Sequence, residues 1–208
     1  DASWSLHVVR LMIGGKIQNY RNILRRYIRD YGENEDINRA VQVLERAKRD
    51  ALKAQDKTEL IGYEGMASNA YFEVLPILIL NQKTDFPFHG RNRRPPKDAV
   101  NAMLSFAYTL IANDVAAALE TVGLDPYVGF LHTLRPGRTS LALDMMEELR
   151  AYLGDRFILS LINKRQISVK DFLFQGDNGV VMTDKGKKTF ITAWQARKRE
   201  VIIHPYLN

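Results

Sequence analysis

The chain has 208 residues, of which 46% are hydrophobic and 26% charged, and its formal net charge at pH 7 is +6. A chain of this length and hydrophobic content can bury one sizeable core, which excludes intrinsic disorder. It contains no cysteine, which excludes disulfides, thiolate metal sites and thiol nucleophiles and fits a cytoplasmic location. No uninterrupted apolar run reaches the length of a membrane-spanning helix, so we expect no membrane partner.

Apolar residues at helical spacing predict three helices in the first part of the chain, at residues 4–31, 36–53 and 58–80. We expect the third helix to be bent or interrupted near Pro76. The stretch 81–96 that follows is polar and basic, and its prolines and Gly90 rule out a regular helix. An exposed loop is predicted there, and the sequence leaves its mobility open.

The second part of the chain continues the helical pattern. Helices are predicted at residues 97–122, from Thr139 or Ser140 onward, at 155–163 and at 184–200, with an irregular connection at 127–138. Two short apolar runs, Phe172–Phe174 and Val180–Met182, flank a turn that contains Asn-Gly, which predicts a β-hairpin. The expected fold is therefore mainly α, a single multi-helix domain with one small β-hairpin near the C-terminus.

The positive charge indicates an acidic partner, with nucleic acid as the first candidate and an anionic membrane as the second. It falls into three groups, which are Arg21, Arg25, Arg26 and Arg29; Arg91, Arg93, Arg94 and Lys97; and Lys185, Lys187, Lys188, Arg197, Lys198 and Arg199. Ordinary solvated helix faces and loops also explain such groups, most readily for the third. Three groups on one chain favour a long polyanion.

Carboxylates at helical spacing form a candidate metal site. Asp144 and Glu147 are three residues apart and Glu148 is four residues from Asp144, so one helix face can present two carboxylates together. Glu64 lies among apolar residues of its predicted helix, where an unpaired carboxylate is neutralised or finds a cationic partner. That partner is a metal ion or an arginine.

His132 lies in a glycine-flanked connection, either as a metal ligand or as a hydrogen-bonded structural residue. For Glu64, the arginine alternative is Arg135 or Arg138. One imidazole with two or three carboxylates and no sulfur suits Mg²⁺ or Mn²⁺ better than Zn²⁺. Such a site beside basic groups is typical of phosphodiester chemistry.

Five segments resemble motifs of the CRISPR-associated adaptation integrase, the enzyme that inserts new spacers into a CRISPR array. They are KIQN at 16–19, YEGMASNAYF at 63–72, NRRPPKDAVNAMLSFAY at 92–108, GLDPYVGFLH at 123–132 and SLALDMMEELR at 140–150. They cover essentially the whole chain in the family's order, and we expect a type I system.

The resemblance implies a helical catalytic domain whose Mg²⁺ or Mn²⁺ is held by Glu64, His132 and Glu147. Asp144, one turn before Glu147, would be an accessory carboxylate. Many members of the family have aspartate at the position of Glu147, and glutamate is one methylene longer. The implied reaction joins the 3′-hydroxyl of a protospacer to the repeat by transesterification, and members also show nuclease or disintegration activity.

The implied partners are double-stranded and branched DNA, a second copy of the full-length protein and a small second adaptation protein. The residues expected to contact DNA are Arg21, Arg25, Arg29, Arg93, Arg94, Lys97, Arg135 and Arg138. The family's N-terminal β-rich domain has no counterpart before Trp4, so we expect residues 1–208 to be the catalytic domain alone. The alternative is a noncatalytic helical module that binds DNA or a protein, with Glu64 and His132 as buried polar links.

Overall fold

The structure is a computed structural model that describes residues 2–133 and 135–201. Its helices are α1 (Ala2–Tyr31), α2 (Glu35–Ala51), α3 (Lys57–Val74), α4 (Ala99–Thr121), α5 (Ser140–Leu149), α6 (Arg156–Asn163) and α7 (Asp184–Lys198). The strands β1 (Phe172–Phe174) and β2 (Val180–Met182) pair antiparallel, with Leu173 opposite Val181. The prediction of a mainly α domain with one small hairpin near the C-terminus is confirmed.

Side-chain caps fix where α2 and α3 begin. The carboxamide of Asn34 accepts the backbone N–H of Ile37 at 3.1 Å, and Asp56 accepts the N–H groups of the first turn of α3. Such caps satisfy backbone donors that have no partner within the helix. At its other end α3 passes into a 3₁₀ turn, Leu75–Leu78, that contains Pro76, which confirms the predicted interruption there.

The core is built around α1, which packs against α2, α3 and α5. Its buried face carries Ile13, Ile17 and Leu24. The ring of Tyr20 stacks on that of Tyr71 from α3, with centroids 4.0 Å apart. Residues in the middle of α1 are therefore held against two other helices at once.

Helix α4 is long and apolar enough to cross a membrane by length and composition alone. One face of it is buried in the core, including Met103, Leu104, Ala107 and Ile111. It packs against α5 and β2. This packing accounts for the apolar composition of α4 within the domain.

The segment between α3 and α4 differs in part from the exposed loop predicted at 81–96. The rings of Phe86 and Phe88 are buried in the core. Asn101, fully buried at the start of α4, donates to the backbone carbonyl of Gly90 at 2.9 Å and accepts the N–H of Asn92 at 3.0 Å. The prediction missed these anchors because they join residues that are about ten positions apart and belong to no helical period.

The predicted helices around Asp144 and at 155–163 are one continuous helical path in the structure. A π-helical segment, Arg150–Asp155, joins α5 to α6. Gly154 lies in this segment, and a Cβ atom there would lie 3.0 Å from Cε1 of Tyr108. Sequence reasoning separated the two helices, whereas the close approach to Tyr108 requires this glycine inside a helix.

Candidate active site

Lys16 lies between two of the predicted metal ligands. Its ammonium group contacts Oε1 of Glu64 and lies 2.7 Å from Oε2 of Glu147. Only 2% of Lys16 is exposed. Side chains from α1, α3 and α5 therefore converge on one buried positive charge.

The cluster favours the charged forms of Lys16 and Glu64. Burial alone would lower the pKa of Lys16, but interactions with Tyr20, Glu147 and Glu64 outweigh burial and raise the pKa above its ordinary value. Burial would raise the pKa of Glu64, whereas the charge of Lys16 and hydrogen bonds from Lys16 and Ser68 lower it overall. The cluster therefore contains an ammonium and an ionised carboxylate at neutral pH.

Arg150 supplies a second cation to Glu147. Its Nη2 lies 3.0 Å from Oε1 of Glu147, and its guanidinium lies over the ring of Tyr108 at 4.9 Å from the centroid. Oε2 of Glu147 is buried, and its contact with Lys16 is an ion pair without hydrogen-bond alignment. Both oxygens of Glu147 therefore face a cation of the protein.

Asp144 turns toward the loop that precedes α5 and holds its backbone. Its carboxylate accepts the N–H groups of Phe130, Leu131 and His132 at 2.5, 2.9 and 3.0 Å. Its Oδ1 also lies 2.5 Å from Nδ1 of His132. Burial would raise the pKa of Asp144, but the hydrogen bonds from His132 and from the loop N–H groups hold it below its usual range.

The Asp144 contact assigns the ring orientation of His132. An ionised carboxylate accepts hydrogen bonds only, so Nδ1 carries the hydrogen and Nε2 is the nitrogen left for a ligand. The side chain of His132 is 22% exposed, whereas that of Asp144 is fully buried. The imidazole is thus fixed at one end and accessible at the other.

Gly129 lets this loop lie directly on the first turn of α5. A Cβ atom at Gly129 would lie 2.7 Å from Cβ of Ser140 and 2.9 Å from Oδ2 of Asp144. On the other side, Lys57 donates to the carbonyl of Phe130 at 2.5 Å. The loop is therefore clamped between α5 and the start of α3.

The predicted ligands lie in two neighbouring groups. Glu64 and Glu147 meet at Lys16, and His132 is held by Asp144, one turn before Glu147 on α5. In residues 2–133 and 135–201, no three His, Cys, Asp or Glu side chains are close enough to hold a metal ion as they stand. The ion-pair partner of Glu64 is Lys16, so the arginine alternative, Arg135 or Arg138, was wrong.

A buried network lies behind the site. Tyr108 donates to Oδ1 of Asp155 at 2.6 Å, and Tyr71 also interacts with this carboxyl, although without hydrogen-bond alignment. Burial raises the pKa of Asp155 to about 6 despite the hydrogen bond from Tyr108, the neighbouring Tyr71 hydroxyl and the charges of Arg150 and Lys16. A buried carboxyl group with a pKa of about 6 therefore lies beneath the carboxylate cluster.

Sequence reasoning missed the roles of Lys16, Arg150 and Asp155. A usable signal existed for Lys16, because it lies three residues after Ile13 and four before Tyr20, both buried on one face of α1. A lysine at such a position needs a buried anionic partner. No comparable local signal identifies which carboxylates those partners are.

The arginines and lysine predicted to contact DNA have different surroundings. Arg21 pairs with Glu45 of α2, and Arg29 lies 2.9 Å from Asp30. Of the rest, Arg25, Arg93, Arg94, Lys97 and Arg135 are exposed and Arg138 is half-buried. Among the described residues, these six form no ion pair, so their charges are available to a ligand.

Fold and site together define a helical domain with a polar centre of glutamates, lysine and an aspartate-held histidine. The chain belongs to the family described as CRISPR associated protein Cas1, whose model matches residues 1–196.

The chain is similar to several named relatives and to a solved structure. A CRISPR-associated endonuclease Cas1 of Leptospira interrogans is 45% identical over 98% of this chain and 81% of its own length. The CRISPR-associated endonuclease Cas1 1 of Chlorobaculum tepidum is 49% identical over 97% of this chain and 60% of its own length. A CAS1 protein from Thermotoga maritima is 30% identical with a TM-score of 0.81, over 94% of this chain and 59% of that one. The chain thus spans only part of each relative.

Proposed function

We propose that this chain is the helical catalytic domain of a CRISPR adaptation integrase and acts on DNA phosphodiester bonds with Mg²⁺ or Mn²⁺. The observation that carries the proposal is the convergence of Glu64 and Glu147 on one buried positive charge, Lys16. Two carboxyl groups from different helices are buried side by side only where a cation compensates them. Family membership supports the same activity.

The donor set fits a hard divalent ion. Glu64 and Glu147 provide carboxylate oxygens and His132 provides Nε2, which together suit Mn²⁺ or Mg²⁺. The buried Oε2 of Glu147 lacks an aligned hydrogen bond in the protein. When bound, the ion would polarise the phosphate and stabilise the oxygen that leaves.

Asp144 is better placed as a positioning residue than as the accessory ligand implied by the resemblance. Both of its oxygens are engaged by the loop from Phe130 to His132. A carboxylate that fixes the tautomer and angle of a ligating histidine is a recurrent feature of metal sites. Asp144 would therefore act through His132.

Lys16 and Arg150 contribute positive charge beside the carboxylates. Both remain protonated, because interactions with Tyr20 and Glu147 for Lys16, and with Glu147 first for Arg150, raise the pKa of each against the lowering effect of burial. Fixed cations stabilise the negative charge that accumulates on the phosphate oxygens as the transition state forms. We assign both residues to this electrostatic role.

The proposed reaction is a transesterification. The oxygen of the protospacer 3′-hydroxyl forms a new bond to the phosphorus of the repeat strand, and the bond from that phosphorus to its 3′ oxygen breaks. The attacking hydroxyl gives up its proton, and the leaving 3′ oxygen takes one up. The number of phosphodiester bonds is unchanged, so no nucleotide cofactor is consumed.

The exposed basic residues would hold the DNA by its phosphates. We assign this role to Arg25, Arg93, Arg94, Lys97 and Arg135, together with the half-buried Arg138. Arg21 and Arg29 would join them only by leaving their acidic partners. For the full-length protein, the proposed partners are double-stranded and branched DNA, a second copy and a small second adaptation protein.

Strand transfer and cleavage of a branched DNA, with Mn²⁺, Mg²⁺ or a chelator, tests the proposal. His132→Ala should abolish the metal-dependent activity while the variant remains folded. His89→Ala, an exposed histidine between α3 and α4, is the matched control and should retain activity. Equal activity in His132→Ala and the unaltered chain would overturn the assignment.

A second pair of variants tests the carboxylate. Glu64→Gln removes the charge with little change in volume and should abolish activity. Glu73→Gln changes an exposed glutamate on the same helix and should have no effect. If the chain binds DNA but neither Mn²⁺ nor Mg²⁺ supports any chemistry, the catalytic proposal fails for this part of the protein.

One observation favours the second candidate function, a noncatalytic helical DNA-binding module. Lys16 and Arg150 already compensate the charges of Glu64 and Glu147 within the protein. On this alternative the cluster is a buried polar link, and His132→Ala lowers the free energy of unfolding without removing any metal-dependent reaction. Thermal unfolding of the same variants with and without Mn²⁺ separates the two functions.

A further inference from the structure

A second cavity lies away from the carboxylate cluster, between the C-terminal half of α1, α6 and α7. Its volume is about 520 Å³, within the range of small-molecule sites. The polar and aromatic lining that matters here is Arg26, Tyr27, Tyr31, Arg156, Lys164 and Arg197. None of these residues takes part in the site described above.

The cavity carries an excess of positive charge. Its lining has four basic side chains, and the acidic ones are Asp30 and Glu200. These two pair with Arg26 and Arg197 respectively. Among the described residues, Arg156 and Lys164 form no ion pair, so neither cation is directly paired with a carboxylate.

Arg156 is held in place by stacking instead of by an acidic partner. Its guanidinium lies 4.9 Å from the ring centroid of Tyr152, and that of Arg197 lies 4.8 Å from the same ring. Burial lowers the pKa of Arg156, and the positive charges of Arg26 and Arg197 lower it further. An anion bound here would reduce the repulsion between the two guanidinium groups that share the Tyr152 ring. A guanidinium group can donate two parallel hydrogen bonds to the oxygens of a phosphate.

An aromatic pair forms another part of the lining. The rings of Tyr27 and Tyr31, one turn apart on α1, have centroids 5.1 Å apart, and Tyr31 is 62% exposed. Exposed aromatic rings beside arginines are the elements with which proteins bind single-stranded nucleic acid, because bases stack on the rings and phosphates meet the cations.

The cavity and the proposed active site are built on the same helical elements, α1 and the path from α5 to α6. Tyr27 lies eleven residues after Lys16 on α1, which is about 16 Å along a helix. Arg156 lies nine residues after Glu147 along the path from α5 to α6. A separation of this size corresponds to a few nucleotides of one strand.

We propose that this cavity binds one nucleotide of a single DNA strand, with the phosphate at Arg156 and the base on Tyr27. The proposal rests on the proposed function, in which the chain acts on DNA. It adds a place for an unpaired strand beside the reacting phosphodiester. Positive charge alone would suit an acidic peptide equally well, and the tyrosine pair favours nucleic acid because it provides a surface on which a base can stack.

The test measures fluorescence anisotropy of a short labelled oligothymidylate over a range of salt concentrations, with a chelator present so that no catalysis is involved. Arg156→Gln should weaken binding and reduce the slope of log affinity against log salt by about 0.7, the value for one lost single-strand phosphate contact. Tyr27→Ala should weaken binding about tenfold with the slope unchanged. Arg49→Gln, an exposed arginine on α2 outside the cavity, should change neither.

An abasic oligomer of the same length tests whether the base contributes to binding. With it, Tyr27→Ala should bind as well as the unaltered chain, while Arg156→Gln should remain weaker. If folded Arg156→Gln and Tyr27→Ala match the unaltered chain in affinity and slope, the proposal is wrong. It is also wrong if Arg156→Gln weakens the binding of thymidine monophosphate but not of the oligomer. The same holds if Arg156→Gln weakens the binding of an acidic peptide but not of the oligomer. Because these measurements contain no metal, they can be interpreted even if the catalytic proposal fails.

Discussion

Asp144 and Glu147 lie one turn apart on α5 and have different partners. The carboxylate of Asp144 binds the loop that carries His132, and that of Glu147 faces Lys16 and Arg150. One helical turn therefore both orients the imidazole and carries a carboxylate of the charged cluster. Substitutions at the two positions should have separable effects.

Asp144→Asn should affect the histidine loop first. The amide cannot accept hydrogen bonds on both of its polar groups, so we expect the free energy of unfolding to fall by about 2 kcal/mol. We also expect metal-dependent activity to fall about 10- to 100-fold, the usual effect of losing a partner of a ligating histidine. Urea unfolding and Mn²⁺ titration of activity measure the two effects.

Asp177→Asn, an exposed aspartate in the hairpin turn, is the control for Asp144→Asn. It should leave both quantities unchanged. Full activity in Asp144→Asn would show that the loop orients His132 without this carboxylate.

Lys16→Met should reveal whether the glutamates hold a divalent ion. Removing the lysine leaves Glu64 and Glu147 without their shared cation, which should lower the free energy of unfolding by about 3–5 kcal/mol. Mn²⁺ should restore about 3 kcal/mol of this when its free concentration is a hundred times its dissociation constant. Thermal unfolding with Mn²⁺ or with chelator measures the rescue.

The double variant Lys16→Met, Glu147→Gln is the control for that rescue. It keeps one carboxylate, so Mn²⁺ should stabilise it much less than it stabilises Lys16→Met. Equal stabilisation of the two variants would place the Mn²⁺ elsewhere on the chain.

Gly129→Ala should disturb the loop and leave the rest of the domain folded. The added methyl would meet Ser140 and Asp144 at 2.7–2.9 Å, so the backbone must move and carry His132 with it. We expect activity to fall at least about tenfold, since misplacing a catalytic group by about 1 Å can cost a hundredfold.

Gly62→Ala is the matched substitution on α3, where a Cβ atom meets nothing within 4 Å. It should retain activity and raise the free energy of unfolding by up to about 1 kcal/mol, because alanine favours helix over glycine. Equal activity in the two alanine variants would show that the loop tolerates a shift.

The pH dependence of stability should show the buried Asp155. Its pKa is raised from 3.8 to about 6 in the folded chain, so the protonated form is favoured by folding. Its contribution is fully present below pH 4 and is lost as the pH rises through 6, a loss of about 3 kcal/mol. The folded-state pKa values of Glu64 and Asp144 are lowered, so their stabilisation is lost as the pH falls, which is the opposite sign.

Asp155→Asn isolates this effect from the other carboxylates. The difference in unfolding free energy between the variant and the unaltered chain should move in the variant's favour by about 2 kcal/mol between pH 4 and pH 7. Guanidinium unfolding at several pH values measures it. A difference that does not change with pH would mean that Asp155 ionises normally.

Much of the fold could be predicted because its signals are local. Asn34 and Asp56 begin their helices with side-chain hydrogen bonds to nearby N–H groups, and such caps can be recognised within four residues. The hairpin was predicted from an Asn-Gly pair between two apolar runs. The path through Arg150–Asp155 was not predicted, because its glycine is explained by packing against Tyr108 on another helix.

The candidate site could be predicted only in its components. Spacing and surroundings indicated Glu64, His132, Asp144 and Glu147 as candidates, and the resemblance supplied the ligand roles of Glu64, His132 and Glu147. The contacts that organise them join residues far apart in sequence, as between Lys16 and Glu64, and no periodicity specifies such a pairing. The ligand roles themselves remain a prediction.

The π-helical segment Arg150–Asp155 sets the rotation of α6 about the helix axis relative to α5. In an α-helix each residue advances about 100° around the axis, and a π turn accommodates an additional residue. Shortening Arg150–Asp155 by one residue would therefore rotate α6 by about 100° relative to α5. If Glu147 still pointed into the carboxylate cluster, Arg156 would then point away from the cavity. The length of this segment therefore fixes the orientation of the two proposed sites relative to each other, to within a single residue.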